Sequence, residues 1–348
     1  MRQQKPRFQP TQYEIASDTL QQAVTDLLKP APAVKLLDYP KFTYLTGGFR
    51  PKEFTILCGA TGTGKTTLLA NLSNSLISQE VPHFVASVET GRHDFIRRII
   101  SARVSQDWNT GDAVPLEKIK SYLSESEIQR LNRAKLYLSL YENRFTVEQL
   151  IHDIEYMVNT HGVKVAMIDN LNFFMQVKSA GDAIIEMDRV IHELIMFCKR
   201  CDVHIIMVMH PKKTDGGRVE SEFDIKGSST SVQEAQNVIL FNRPTNQMVA
   251  DGLANYGDRE LLIAKMRRRG SSVGSKLILE ALDGVSYREG NLICKNQSQK
   301  PTSFDSPSAS KSSSVKSQTS TSVHSTPGST RSTMARGAKQ STDWNEQF

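Results

Sequence analysis

Residues 59–67 read GATGTGKTT and stand between the apolar run Phe54-Thr-Ile-Leu-Cys58 and a second apolar pattern that starts at Leu68. Gly59, Gly64, Lys65 and Thr66 fill the spacing G-x-x-x-x-G-K-[ST] in full. A strand, a glycine loop and a helix in that order aim backbone N–H groups and a helix N-terminus at one spot, which suits phosphate oxygens. Lys65 is then placed to reach the β and γ phosphates, and the Thr66 hydroxyl to ligate Mg2+. The expected nucleotide cradle is Gly59, Ala60, Thr61, Gly62, Thr63, Gly64, Lys65, Thr66 and Thr67, with ATP or another NTP and Mg2+ as its cofactors.

The chain around this loop repeats one pattern. Apolar strand candidates lie at 54–58, 83–88, 135–140, 163–168, 203–209, 236–241 and 260–264. Helical periodicity falls between several of them, at 65–78, 92–104, 125–134, 146–160 and 182–201. Buried strands alternating with helices predict an α/β fold, a mainly parallel sheet flanked by helices on both faces. Segments 275–281 and 284–288 predict a C-terminal β-hairpin turning at Asp283-Gly284. The main domain therefore spans 36–295. Ahead of it, 1–35 reads as an arm with one amphipathic helix over 13–28, ended by Pro30, which packs either on its own core or on a neighbouring subunit. Behind it, 296–348 is Ser/Thr-rich with few large apolar residues, a composition that predicts a disordered tail. Its tip, Asp343-Trp-Asn-Glu-Gln-Phe348, carries two aromatics and reads either as an unstructured end or as a peptide hook for a partner.

Three strand ends add chemistry. Val163-Lys-Val-Ala-Met-Ile-Asp169 delivers a carboxylate to the edge where ligands collect in parallel sheets, so Asp169 is the expected second Mg2+ residue. His83-Phe-Val-Ala-Ser-Val-Glu89 delivers another, and Glu89 is the candidate general base for an attacking water. His210 follows the strand that starts at Val203, in position to touch a γ-phosphate. Each of these, taken alone, is also what a solvated strand end looks like. Lys265 and Arg267, two apart in extended backbone, project to one side. That suits a phosphate held by a second subunit, with Arg267 acting as an arginine finger in trans; a basic hairpin meeting solvent or nucleic acid is the competing reading.

The bulk properties narrow the field. Net charge is +6, and beyond residue 295 six Lys or Arg face three Asp or Glu, so half of that excess belongs to the tail. Any nucleic-acid surface on the core must be local. No apolar run of membrane-spanning length exists, and MRQQKPRFQPTQYE lacks a signal core, which predicts a cytoplasmic, non-membrane protein, with an organelle the other option. Cys58, Cys198, Cys201 and Cys294 make no disulfide framework, and Cys198-Lys-Arg-Cys201 reads as buried helix-end thiols rather than a zinc or redox pair.

Several segments together resemble one family. Gly47 to Thr66, Val85-Ala-Ser-Val-Glu89, Ile168-Asp-Asn-Leu-Asn-Phe173, Met209-His-Pro-Lys-Lys213, Lys226 to Val238 and Lys265-Met-Arg267 with Gly270 and Gly274 are similar, in this order, to the RecA-like motor of replicative ring helicases: DnaB, Twinkle and the helicase half of phage primase-helicases. The resemblance covers about 40–290. It implies a RecA-like P-loop NTPase core, a homo-hexameric ring, NTP hydrolysis and translocation on single-stranded DNA in replication. Loops at about 172–183 and 211–230 would then meet DNA, with Lys212, Lys213, Arg218 and Lys226 on its phosphates. Arg243 would stack on the nucleotide base, and Lys265 would join Arg267 at the neighbour's nucleotide. Two departures stand out. Gln236 follows Ala235 where the family usually shows Asp, and only about 35 residues precede the core, so ring closure would either be weaker or rest on the 13–28 helix docking onto a neighbour. A RecA-type recombination or repair ATPase shares the fold and stays open as an alternative, as does a P-loop switch or loader that binds DNA without unwinding it.

Overall fold

All seven apolar runs become strands of one sheet in the computed structural model, which describes residues 16–29, 32–108, 113–140, 146–170, 180–212, 218–226 and 229–295. Along the chain come α1 (Ala16–Leu28), α2 (Pro40–Thr46), β1 (Phe54–Cys58), α3 (Lys65–Ser78), β2 (His83–Ser87), α4 (Arg92–Val104), α5 (Leu116–Tyr122), α6 (Glu125–Asn132), β3 (Leu136–Leu138) and α7 (Val147–His161). There follow β4 (Val165–Asp169), α8 (Ala180–Arg200), β5 (His204–Met209), α9 (Ser229–Glu234), β6 (Asn237–Asn242), α10 (Asn246–Ala250), β7 (Arg259–Met266), β8 (Lys276–Leu282) and β9 (Ser286–Ile293). The tail from 296 and its aromatic tip lie outside the described residues, as do Lys213, 171–179 and the start of the expected 13–28 helix.

The strand order is β3-β2-β4-β5-β1-β6-β7-β8-β9. The first six are mutually parallel; β7, β8 and β9 continue the sheet antiparallel. Side chains alternate across it. Phe54, Ile56 and Cys58 of β1 face a core built with α7 and α8, while Leu57 faces a second core built with α2, α3 and α4. Leu68, Leu69, Leu72, Leu76 and Ile77, the apolar stripe expected on α3, are all buried. Ser124 with Glu127 and Thr146 with Gln149 form capping boxes that start α6 and α7. The hairpin turns where expected, with Asp283 and Gly284 both left-handed at φ 48° and 70°.

Cys198 and Cys201 lie in the first core, and burial pushes the Cys198 thiol up to about 12. No described helix is long and apolar enough to cross a membrane. The helix α1 does not bury its apolar side chains on its own domain: Leu20, Val24, Leu27 and Leu28 are exposed.

Two buried histidines make the fold acid-sensitive. His83 sits between Ser73 Oγ (2.7 Å) and the Val81 carbonyl (2.9 Å), and His204 between Thr55 Oγ1 (3.0 Å) and the Arg50 carbonyl (2.9 Å). Burial lowers both from 6.5 to about 4. Between those values the unfolded chain binds more protons than the folded one, so stability is full above about 6.5 and declines as pH falls toward 4. Urea unfolding should show about 2–3 kcal/mol less stability at pH 5.5 than at pH 7.5. A midpoint that stays constant over this range would show that neither histidine is held neutral.

Candidate nucleotide site

The sheet brings the three expected strand ends to one edge. Ser87 of β2 is in register with Asp169 of β4, Ile168 with Met207 of β5, and Cys58 of β1 with Met209. The glycine loop leaves that edge beside β6. A Cβ on Gly59 would lie 2.4 Å from the Phe241 carbonyl, so only glycine lets the loop pass the end of β6. Gly64 is left-handed at φ 89°, and a Cβ there would meet the Tyr287 hydroxyl at 2.6 Å.

Lys65 is buried and donates to the carbonyls of Gly59 and Ala60, each at 2.9 Å. Burial lowers its pKa, partly offset by Asp169. The Thr66 hydroxyl donates to Asp169 Oδ2 at 2.6 Å. Asp169 is 1% exposed, and burial raises its pKa against the Thr66 hydrogen bond. A hydroxyl and a buried carboxylate in contact are hard oxygen donors beside a phosphate cradle, the set Mg2+ favours. The Ser87 hydroxyl, buried at the same edge, makes no hydrogen bond among the described residues. These residues fit a Mg2+–nucleotide.

Glu89 is exposed just past β2 and accepts from Asn170 Nδ2 at 2.5 Å. The same amide nitrogen lies 3.1 Å from His210 Nε2. Asn170 thus joins Glu89 to His210, whose pKa is lowered by burial and then by Lys65. Asn170 lies in the Ile168–Phe173 segment that carries the resemblance, but nothing in the sequence marked it as the link between Glu89 and His210. Sequence reasoning also missed Arg259 and Tyr287. Arg259 Nε donates to the Thr63 carbonyl at 2.6 Å, and burial raises the Tyr287 phenol while Arg259 offsets it. The hairpin carrying Tyr287 was legible, but not its position over the P-loop. That position is set by Asn71 on α3, which donates to Val285 O (3.0 Å) and accepts from Tyr287 N–H (3.0 Å).

The loop after β5 is pinched at its neck. Pro211 bridges Ile225, Lys212 N–H donates to Asp224 O (2.6 Å) and Lys226 N–H to His210 O (3.1 Å). Lys212 and Lys226 are exposed there. Arg218 departs from the expected DNA contact. Its guanidinium donates to Glu260 Oε1 at 2.6 Å and to the Arg243 carbonyl at 2.8 Å. Glu260 is fully buried and shares its charge between Arg218 and Lys276, whose Nζ lies 3.7 Å from Oε2, so the structure gives this arginine an internal use. Arg243 is exposed, two residues past the Phe241 carbonyl that abuts Gly59.

Lys265 and Arg267 lie at the opposite edge. β7 runs antiparallel to β6, and Met266 is in register with Asn237 at the start of β6, whereas Leu240 pairs with Cys58 beside the P-loop. Arg267 thus lies roughly 15 Å along the strands from its own nucleotide cradle. Lys265 Nζ donates to the Val232 (3.3 Å) and Gln233 carbonyls, and Arg267 donates to Gln233 O at 2.9 Å. Burial and the Arg267 charge lower the Lys265 pKa. Gln236 uses its Oε1 to accept from Phe54 N–H at 2.9 Å, a task that needs an acceptor and no charge.

Comparison with known proteins identifies the fold and the family. A solved DnaB-like replicative helicase, described with its interactions with primase, superposes with a TM-score of 0.63 at 15% identity, over 80% of this chain and 67% of that one. A solved ATPase domain superposes at 0.61 with 16% identity, over 82% of this chain and 100% of that one. At these identities the likeness shows a RecA-like helicase fold. The family description "DnaB-like helicase C terminal domain" matches residues 37–280, which is most of the chain, and the protein belongs to that family.

Proposed function

We propose that this protein is an ATP-dependent DNA helicase motor that works as a homo-hexameric ring, translocating on single-stranded DNA and unwinding duplex in replication. The observation that carries the reading is the split of the hydrolysis machinery between two edges of one sheet. Phosphate cradle, metal residues and base sit at one edge, and the cationic pair sits at the other. A complete site then needs two subunits, which a ring supplies at every interface.

In this reading Glu89 takes the proton of the attacking water, and Asn170 holds that carboxylate while contacting His210. Lys65 leaves its loop carbonyls for the β and γ phosphates. Thr66 and Asp169 would hold Mg2+, which when bound neutralises phosphate charge. Arg267 of a neighbour releases Gln233 O and meets the charge that develops in the transition state. His210 begins the pinched loop bearing Lys212 and Lys226, so a change at the γ-phosphate reaches cations suited to a DNA backbone through one residue. Lys213 joins them by sequence. Arg243, beside the cradle, is placed for the nucleotide base.

Two features favour the ring over a filament-forming recombinase or a non-unwinding switch. The exposed apolar face of α1 has no partner among the described residues of its own domain. A groove of about 420 Å3 on α3–α6, lined by Ile96, Ile99, Ile119, Leu123, Ile128 and Leu131, offers a neighbour's α1 an apolar seat. Electron microscopy with ATP and single-stranded DNA, run beside a strand-displacement assay, tests the proposal. Closed six-fold rings that displace a strand are expected. Filaments would select the recombinase reading, and neither rings nor displacement the switch. The aromatic tip remains the proposed contact for a replication partner, and the cytoplasm the proposed compartment.

A further inference from the structure

Three consecutive arginines follow β7, and each is tied to a different element. Arg267 donates its backbone N–H to Gln236 O (3.0 Å) and its guanidinium to Gln233 O at the end of α9. Arg269 donates to the Tyr44 carbonyl on α2 and lies over the Tyr44 ring at 5.9 Å. Arg268 Nε approaches Glu53 Oε1 at 2.8 Å.

Glu53 is the unusual partner. It immediately precedes β1, its side chain is 4% exposed, and Arg268 is 70% exposed. Its Oε2 accepts from Asn237 Nδ2 at 3.1 Å, while Oε1 makes no aligned hydrogen bond and has the Arg268 guanidinium as counter-charge. Burying a carboxylate costs free energy that a single ion pair rarely returns, and a well-packed apolar side chain at such a site is often as stable or more so. Stability alone therefore does not account for an acid here. Placement does: Glu53 draws in the residue adjacent to Arg267. The same strand start grips the finger segment a second way, because Phe54 N–H donates to the Gln236 side chain and the Gln236 carbonyl receives Arg267 N–H. The other end of β1 leads into the P-loop, so one five-residue strand carries the cradle for its own nucleotide and the mooring for a finger that serves another.

We propose that Glu53 is a positioning residue for Arg267: acting through Arg268, it fixes the finger segment so that the Arg267 guanidinium is presented to a neighbouring subunit's phosphate site. This rests on the trans-finger reading above. Glu53→Gln keeps shape and the Asn237 contact but releases Arg268. It should bind nucleotide with unchanged affinity while hydrolysis falls roughly 10- to 100-fold, the scale of a displacement of about 1 Å in a reacting group. Subunit mixing separates positioning from mere folding. Glu53→Gln subunits retain a working P-loop, so mixing with Lys65→Ala subunits, whose finger is intact, should restore turnover. Mixing with Arg267→Ala subunits should not, because neither partner presents a finger. Arg268→Ala, a surface change that leaves the core packed, should behave in the same way and decides the matter if Glu53→Gln does not fold. The Arg267→Ala with Lys65→Ala mixture is the control. Where that pair recovers turnover, rescue of Glu53→Gln by both partners or by neither would overturn the proposal, as would wild-type turnover in the unmixed variants. Where that pair does not recover, a structure with a transition-state analogue decides: Arg267 away from every phosphate site means the trans finger itself has failed, and Arg267 equally placed in Glu53→Gln and unaltered protein overturns the positioning role alone.

Discussion

Glu89→Gln protein should bind ATP as tightly as the unaltered chain yet hydrolyse it roughly 10²–10⁴ times more slowly, the usual contribution of a positioned general base. The substitution keeps the side chain's length and leaves an oxygen to accept from Asn170, so the Asn170–His210 arrangement should persist. What disappears is the basic oxygen. Lys65→Ala should be equally slow for a different reason. The buried ammonium is held inside the loop on the Gly59 and Ala60 carbonyls, and without it the phosphates lose their main attraction within the cradle. Nucleotide affinity should therefore collapse for Lys65→Ala and hold for Glu89→Gln. Fluorescent-nucleotide titration paired with phosphate release distinguishes the two. ATP turnover near wild type in Glu89→Gln would remove Glu89 from the mechanism, and unchanged affinity in Lys65→Ala would remove the P-loop lysine from binding.

The strands and the P-loop were legible because their signals are local. Apolar runs such as Phe54–Cys58 and the alternation of strand with helix specify a parallel sheet through burial alone, and the glycine spacing specifies the loop. The meeting of Thr66 with Asp169 was legible for the same reason: a carboxylate at a strand end needs only the rule that parallel strands deliver their ends to one edge, and the two side chains meet there at 2.6 Å. Contacts that depend on how distant elements pack were not legible. Tyr287 reaches Gly64 through long-range contacts, its N–H donating to Asn71 and its carbonyl accepting from the Tyr39 hydroxyl, both more than two hundred residues earlier. Arg218 looked like a loop cation until β7 brought Glu260, buried and charged, beneath it. Nothing in the sequence ties Glu53 to its partner, which lies past the far end of β7. The direction of β7 had the largest functional consequence. The sequence marked a strand at 260–264 without its sense, and antiparallel pairing is what carries Arg267 to the edge away from its own nucleotide.

That placement sets the most demanding expectation. Arg267→Ala subunits should bind nucleotide normally, since their P-loop and metal residues are untouched, and should lose hydrolysis roughly 10³–10⁵-fold, the contribution of trans arginine fingers in well-studied P-loop enzymes. The side chain lies at the foot of the sheet on Gln233 O, so no rotamer of one arginine, which spans about 7 Å, bridges the roughly 15 Å back to its own cradle. A finger acting in trans predicts complementation. In a mixed assembly with Lys65→Ala subunits, some interfaces pair the intact P-loop of one variant with the intact finger of the other, and turnover should reappear in proportion to their number. A finger acting in cis gives no such recovery, because every chain then carries its own defect. Strict sequential firing around a ring would suppress the recovery, so the deciding measurement is a structure with a transition-state analogue. The Arg267 guanidinium should lie within hydrogen-bond reach of the γ-phosphate position of another subunit. An Arg267 that instead faces solvent or DNA in that structure would sink the trans finger, and with it the reason for building this site between two chains.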